Sequence, residues 1–240
     1  PSKAMKQTPT FIFDLDGTLL DTLADLAAAT NHALTTYGLP QRTLSEVRQM
    51  VGNGVRRLML RAVHEPLSPD GGKTWVEDPV TANADGSLHP RFDEILAEFK
   101  RYYVAHCRDN TRLYPGIVTL LTGLQRRGCR LAVVSNKLQA GVTELRNTYF
   151  PEWIDVAIGE REGIARKPDP AMLYAAMEAL GAEKSSVHYV VDILTARSAG
   201  VPCISVLWGF RDRPFLERHG ATCLAETPAD ILALLDADEG

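Results

Sequence analysis

Short apolar runs and helical patterns alternate along most of the chain. Residues 10–15 (TFIFDL), 130–135 (RLAVVS), 154–158 (IDVAI), 187–191 (VHYVV) and 203–207 (CISVL) read as buried strands. Between them, residues 117–127 place Ile117, Leu120, Leu121 and Leu124 on one helical stripe, and Gly128 suits a C-terminal stop. Residues 170–180 (PAMLYAAMEAL) likewise end at a glycine, Gly181. Apolar strands alternating with helices predict an α/β fold, a Rossmann-like doubly wound parallel sheet covered on both faces.

Residues 23–112 break the alternation. Helical patterning recurs at 23–37, 44–63 and 92–106 without a convincing strand, and the Gly/Pro/Asp-rich stretch 65–90 reads as a long surface loop. The expected organisation is a catalytic core of residues 1–22 and 113–240 with a helical cap, 23–112, inserted after the first strand. The chain carries no internal repeat and no low-complexity tract.

Composition narrows the function classes. With 240 residues, 45% hydrophobic and 23% charged, the chain can build a packed core. A net charge of −4 argues against nucleic acid or an anionic membrane as the main partner, since both reward a basic face. A small anionic substrate is compatible, because a metal and a few local cations outweigh the global sign. The four cysteines, Cys107, Cys129, Cys203 and Cys223, have no metal-binding spacing, and Cys129 and Cys203 read as small buried residues. The start, PSKAMKQTPT, lacks the apolar centre of a signal peptide, and its first few residues read as a leader or expression remnant. No run approaches the ~18 apolar residues of a membrane span. A cytoplasmic, reducing location is expected.

The main chemical signal is FDLDGTLLDT. Asp14 and Asp16 sit two apart at the end of an apolar strand, Gly17 permits a sharp turn, and Thr18 and Asp21 are placed to cap the next segment. Ligands of open α/β sheets bind at such strand ends, and close carboxylates there invite a hard cation such as magnesium. Standing alone, an Asp-Gly pair after a strand is ordinary turn chemistry. Three later stations change that. Strand two ends in Ser135-Asn136-Lys137, a hydroxyl and backbone N–H groups able to cradle an oxyanion, or alternatively an N-cap. Lys167 stands in ARKPDPAML, where two prolines restrict the backbone around it; Arg166 beside it reads as solvent-facing. Asp192 comes after the fourth strand, either as an N-cap or beside a metal.

Together these stations resemble the haloacid dehalogenase superfamily, whose phosphatases carry DxDGT after strand one; the SNK triplet resembles phosphoglycolate phosphatase-like members. The resemblance implies that Asp14 is a nucleophile attacking phosphorus and that Asp16 is general acid and then base. It implies that Thr18, Ser135, Asn136 and Lys137 line the phosphate pocket and that Lys167 bridges nucleophile and phosphate. Mg2+ would be the cofactor, held by Asp14, Asp16 and Asp192, and a small phosphorylated metabolite the partner, with 2-phosphoglycolate favoured. In the helical segment Gly52, Asn53 and Arg56, with Arg57 behind it, would select the substrate. The segment LWGFR at 207–211 reads as a packed aromatic turn and resembles the WGF of the same family.

One station departs from the pattern. The family expects Gly-Asp after strand four, then about four residues before a second acid; here VHYVVDILTARSAG runs strand into helix. A βα connection normally takes ~2–6 residues. The expectation is therefore that about four residues, a principal metal-binding Asp among them, are missing at 190–192, which normal bonded backbone there would refute. Alternatives on the same fold are a phosphosugar mutase, a nucleotidase or a pyrophosphatase. A chain that has truly lost this loop would be a non-catalytic homologue. A dehalogenase is disfavoured by Asp16.

Overall fold

The computed structural model describes residues 8–238; the N-terminal residues read as a leader lie outside the described residues. The chain divides into two compact units, residues 1–19 with 113–240 and residues 20–112.

In the first unit, β1 (Thr10–Phe13) has no exposed face or edge. Such a strand needs partners on both sides, and it pairs in parallel with β4 (Arg130–Leu138) and β6 (Val187–Val190), Ile12 standing opposite Ala132 and Tyr189. Adding β5 (Val156–Glu160), β7 (Cys203–Val206) and β8 (Leu224–Ala225) gives a six-stranded parallel sheet in the order β5-β4-β1-β6-β7-β8. Strand order thus runs outward one way from β1 and then the other, and the reversal opens a crevice at the carboxyl ends of β1, β4 and β6.

Ile12, Ala132, Val134 and Tyr189 form one core with Met172, Leu173 and Ala176 of α7 (Ala171–Leu180) and Ala196 and Ala199 of α8 (Ile193–Ala199). The intervening residues Phe11, Phe13, Leu131 and Val133 point to the other face. The predicted stripe Ile117, Leu120, Leu121 and Leu124 is buried on α5 (Ile117–Arg126), which packs against β4 and α10 (Pro228–Asp238). The remaining helices of this unit are α6 (Gln139–Tyr149) and α9 (Arg213–Arg218).

The second unit contains α1 (Leu23–Thr36), α2 (Leu44–Met50), α3 (Gly54–His64) and α4 (Phe92–His106), with the short β2 (Leu20–Asp21) and β3 (Arg112–Leu113) at its chain ends. The helical patterning at 44–63 is two helices. Gly52 (φ 112°) and Gly54 (φ 80°) adopt left-handed backbone that breaks them. A capping box, Thr43 with Glu46, starts α2.

The stretch 65–90 has neither helix nor strand, but it is pinned to α2 by buried polar side chains. Gln49 Nε2 donates to the carbonyls of Gly72 and Thr74 (both 2.8 Å), and its Oε1 accepts from Val76 N (2.9 Å). Glu46 accepts from Ser68 N (2.9 Å), and the Arg42 guanidinium donates to the carbonyls of Glu65 and Pro66. A cavity of about 550 Å³ lies under this loop, walled by Met50, Leu67, Trp75, Val76 and Val80 among others. Among the described residues no helix is long and apolar enough to cross a membrane.

Candidate active site

The crevice collects the sequence's chemical stations from four strand ends. Asp14 continues β1 by one hydrogen bond, donating its N–H to Val190 O (3.1 Å), and its Oδ1 accepts from Leu15 N (2.7 Å). Gly17 (φ 75°) then turns the chain, and Thr18 N and Leu19 N both donate to Leu15 O (3.3 and 3.1 Å). Thr18 is fully buried, and its hydroxyl has no hydrogen-bond partner.

β4 runs past Ser135, Asn136 and Lys137 to Leu138, with its register against β5 shifting after Val134. α6 begins beyond it with Leu138 as its cap residue and no side-chain cap, so the N-cap alternative for Ser135 does not apply. Ser135 Oγ instead accepts from Lys137 N (3.2 Å).

Two ammonium groups meet the carboxylates. Lys167 Nζ is 3.1 Å from Asp14 Oδ1 and 3.9 Å from Asp192 Oδ2, with its side chain almost entirely buried. Lys137 Nζ is 3.3 Å from Asp16 Oδ1, close enough for charge pairing although that oxygen makes no hydrogen bond of good geometry. Burial alone would lower the Lys167 ammonium's pKa, but the neighbouring Asp14, Tyr189 and Asp192 charges and the hydrogen bond to Asp14 together outweigh burial and hold it protonated. Burial pushes the Asp14 carboxyl above its ordinary value against the pull of Lys167, and the neighbouring Asp16 charge pushes the same way.

The backbone of Lys167 is held by Asn136, whose Nδ2 donates to Lys167 O (3.1 Å) and whose Oδ1 accepts from Lys167 N (2.9 Å). The next peptide, Lys167–Pro168, is cis. Arg166 turns outward to Glu160 (3.5 Å).

At the fourth station Val191 N donates to Ile204 O (2.9 Å) and Asp192 O accepts from Ala196 N (3.0 Å). Val191 and Asp192 lie between β6 and α8. Both have left-handed backbone, φ 71° and φ 88°, a conformation that a β-branched valine adopts only under strain. Asp192 is both an N-cap, accepting from Thr195 N (3.1 Å), and a neighbour of Lys167.

Asp14, Asp16, Ser135, Asn136, Lys137, Lys167 and Asp192 therefore lie at adjoining strand ends. The expected metal trio does not assemble: among the described residues no three His, Cys, Asp or Glu side chains form a metal-binding group. Asp16 is drawn toward Lys137, whereas Asp14 and Asp192 converge on Lys167. Magnesium takes hard oxygen donors and commonly only one or two protein carboxylates, the rest being water and substrate oxygens. Asp14 and Asp192 fit that donor type, and a cation there would offset the repulsion between Asp14 and Asp16.

In the helical unit taken by itself, Gly52 and Asn53 are exposed ahead of α3, and the Arg56 guanidinium lies 5.1 Å from the centre of the Phe92 ring; Arg57 is exposed.

The site also has supports that motif reading did not foresee. Trp208 Nε1 donates to Thr18 O (2.9 Å), tying the aromatic turn after β7 to the first motif. The available signal was the Trp-Gly-Phe run after a strand.

The comparisons with known proteins give the class to which this α/β fold belongs. The family profile of haloacid dehalogenase-like hydrolases matches residues 11–206. The chain belongs to that family, and its enzyme class is phosphatase. Phosphoglycolate phosphatase 1 of Pseudomonas aeruginosa is 32% identical over 94% of this chain and 79% of its own length. The phosphoglycolate phosphatase of Caulobacter vibrioides is 33% identical over 92% and 88%. Among solved structures, a provisionally named phosphoglycolate phosphatase from Lactobacillus delbrueckii subsp. bulgaricus superimposes with a TM-score of 0.85 at 34% identity, covering 95% of this chain and 98% of that one.

Proposed function

We propose that the chain is a magnesium-dependent phosphomonoester hydrolase that works through an aspartyl-phosphate on Asp14, with 2-phosphoglycolate or a similarly small phosphorylated metabolite as substrate. The observation that carries this reading is the Lys167 ammonium 3.1 Å from the Asp14 carboxylate, a buried cation placed beside a partly exposed nucleophile. Two anions, carboxylate and phosphate ester, must approach each other, and a fixed positive charge between them lowers that barrier.

An Asp14 oxygen attacks phosphorus and the ester P–O bond breaks. The leaving oxygen takes a proton from Asp16. Asp16, now a carboxylate, accepts a proton from water as the water oxygen attacks phosphorus; inorganic phosphate leaves and Asp14 is regenerated. Lys137 keeps Asp16 oriented between the two steps, and Ser135 with its neighbouring backbone N–H groups binds the phosphoryl oxygens. Thr18, buried with a spare hydroxyl, supports the turn beneath them. When bound, magnesium would neutralise charge on the transferring phosphoryl group, with Asp14 and Asp192 as its protein ligands and Asp16 outside their grip.

The helical unit is proposed to be a cap in which Gly52, Asn53 and Arg56 recognise the non-phosphate end of the substrate. The named relatives support 2-phosphoglycolate over a mutase, nucleotide or pyrophosphate substrate. The test is a panel of phosphate esters with and without magnesium, on wild type and Asp14→Asn. Release of phosphate should need the metal, favour 2-phosphoglycolate and vanish in Asp14→Asn. Equal hydrolysis by both proteins would refute the assignment.

A further inference from the structure

The turn that leads the chain away from Asp14 and Asp16 is gripped from one side by Trp208-Gly209-Phe210. Three contacts converge on two residues. The Trp208 indole N–H donates to Thr18 O at 2.9 Å. Gly209 lies so close to the Gly17 carbonyl that a Cβ at 209 would overlap its oxygen. Phe210, itself buried, covers Gly17: a Cβ on Gly17 would stand 2.5 Å from Phe210 Cδ2. Gly17 is thus required twice over, by its φ of 75° and by the ring above it, whereas Gly209 is required by space alone.

Asp16 immediately precedes this gripped pair. The Lys137 ammonium lies 3.3 Å from the Asp16 Oδ1. The direction in which the Asp16 carboxyl leaves the backbone is set by the turn, and the turn is set by the three contacts. We propose that Trp208, Gly209 and Phe210 are positioning residues for the proton transfer made by Asp16. They fix the Asp16–Gly17–Thr18 turn so that the carboxyl meets the leaving oxygen. The inference rests on the reading of Asp16 as general acid. It goes beyond a packed aromatic turn, because packing alone would not discriminate between substrates by their need for a proton.

That need supplies the test. A nitrophenolate leaves phosphorus without protonation, whereas an alkoxide must be protonated as it leaves. Trp208→Phe keeps an aromatic ring and removes the N–H; Gly209→Ala drives a methyl against Gly17 O. Each variant is compared with wild type and with Asp16→Asn for kcat/KM on 4-nitrophenyl phosphate and on a simple alkyl phosphate, with thermal unfolding measured alongside. Since a general acid contributes roughly 10²–10⁴-fold, loss of its alignment should lower kcat/KM on the alkyl ester by about tenfold or more and on the aryl ester by less than about threefold. Asp16→Asn should show the same asymmetry, larger. If Asp16→Asn discriminates between the esters but the two turn variants lower both equally or neither, the positioning role is overturned while the acid assignment stands. If Asp16→Asn itself shows no asymmetry, the acid assignment fails and the proposal with it. Should Gly209→Ala not fold, Trp208→Phe decides alone.

Discussion

Asn136 holds Lys167 by both ends of its side-chain amide, donating to the lysine's carbonyl at 3.1 Å and accepting from its N–H at 2.9 Å. The two residues are 31 positions apart, on different strand ends, and the bond pair fixes the backbone from which the Lys167 ammonium reaches Asp14. Asn136 therefore helps set where the Lys167 ammonium stands. Its truncation removes two buried hydrogen bonds and leaves a backbone N–H and C=O without those partners. Asn136→Ala should cost about 1–3 kcal/mol of stability in urea unfolding. It should also lower kcat more than Asn136→Asp, which can still accept from Lys167 N. Unchanged kcat in Asn136→Ala would show that Lys167 is held by other means.

Val191 gives a prediction of unusual sign. Replacing a strand-end valine by glycine ordinarily destabilises, because glycine adds unfolded-state freedom worth about 0.4–1 kcal/mol. Here the native φ of 71° costs a valine roughly 1–3 kcal/mol, which glycine does not incur. Val191→Gly should unfold at the same temperature as wild type or higher. A clear drop in Tm would mean that the side chain's packing outweighs the backbone strain.

The helical unit supplies a pH test. Arg101 and then His32 hydrogen-bond the Glu98 carboxylate and hold its pKa down to about 2, from 4.5 in the unfolded chain. A depressed carboxyl stabilises the fold above its unfolded value and loses that contribution as pH falls toward its folded value. The stability gap between wild type and Glu98→Gln should therefore be full near neutrality and narrow progressively between pH 4.5 and about 2, as urea midpoints would record. A gap that widened on acidification would contradict the pairing.

Gln49 is the pin of the long loop. Gln49→Ala removes three hydrogen bonds to residues 72–76, so proteolysis and amide exchange should increase across 65–90 while the helices keep their protection. A loop no more accessible than in wild type would show that Glu46 and Arg42 suffice.

The parts of the site legible in the sequence are those whose chemistry is local. Asp14, Asp16 and Gly17 declare themselves within four residues, and Lys167 is marked by the prolines after it. The strands were legible too, because runs such as TFIF have no polar face, although their ends moved by two or three residues where polar residues continue the pairing, as in β4 through Leu138. What stayed hidden depends on long-range partners. Lys137 reads as a phosphate contact until Asp16 is seen 3.3 Å away, and nothing near Trp208 announces Thr18, 190 positions earlier. Gln49 and Glu46 look like solvent-facing helix residues, yet they are buried against a loop whose Gly72 approaches α2 closely enough to exclude a side chain.

The identity of the nucleophile is best tested by trapping. Asp16→Asn, lacking the base for the second half-reaction, should accumulate phosphate when mixed with magnesium and a 4-nitrophenyl ester. Intact mass and then peptide mapping should place that phosphate on the peptide carrying Asp14, and Asp14→Asn should carry none. Phosphate mapped to any other residue, or full turnover of substrate by Asp14→Asn, would contradict the account.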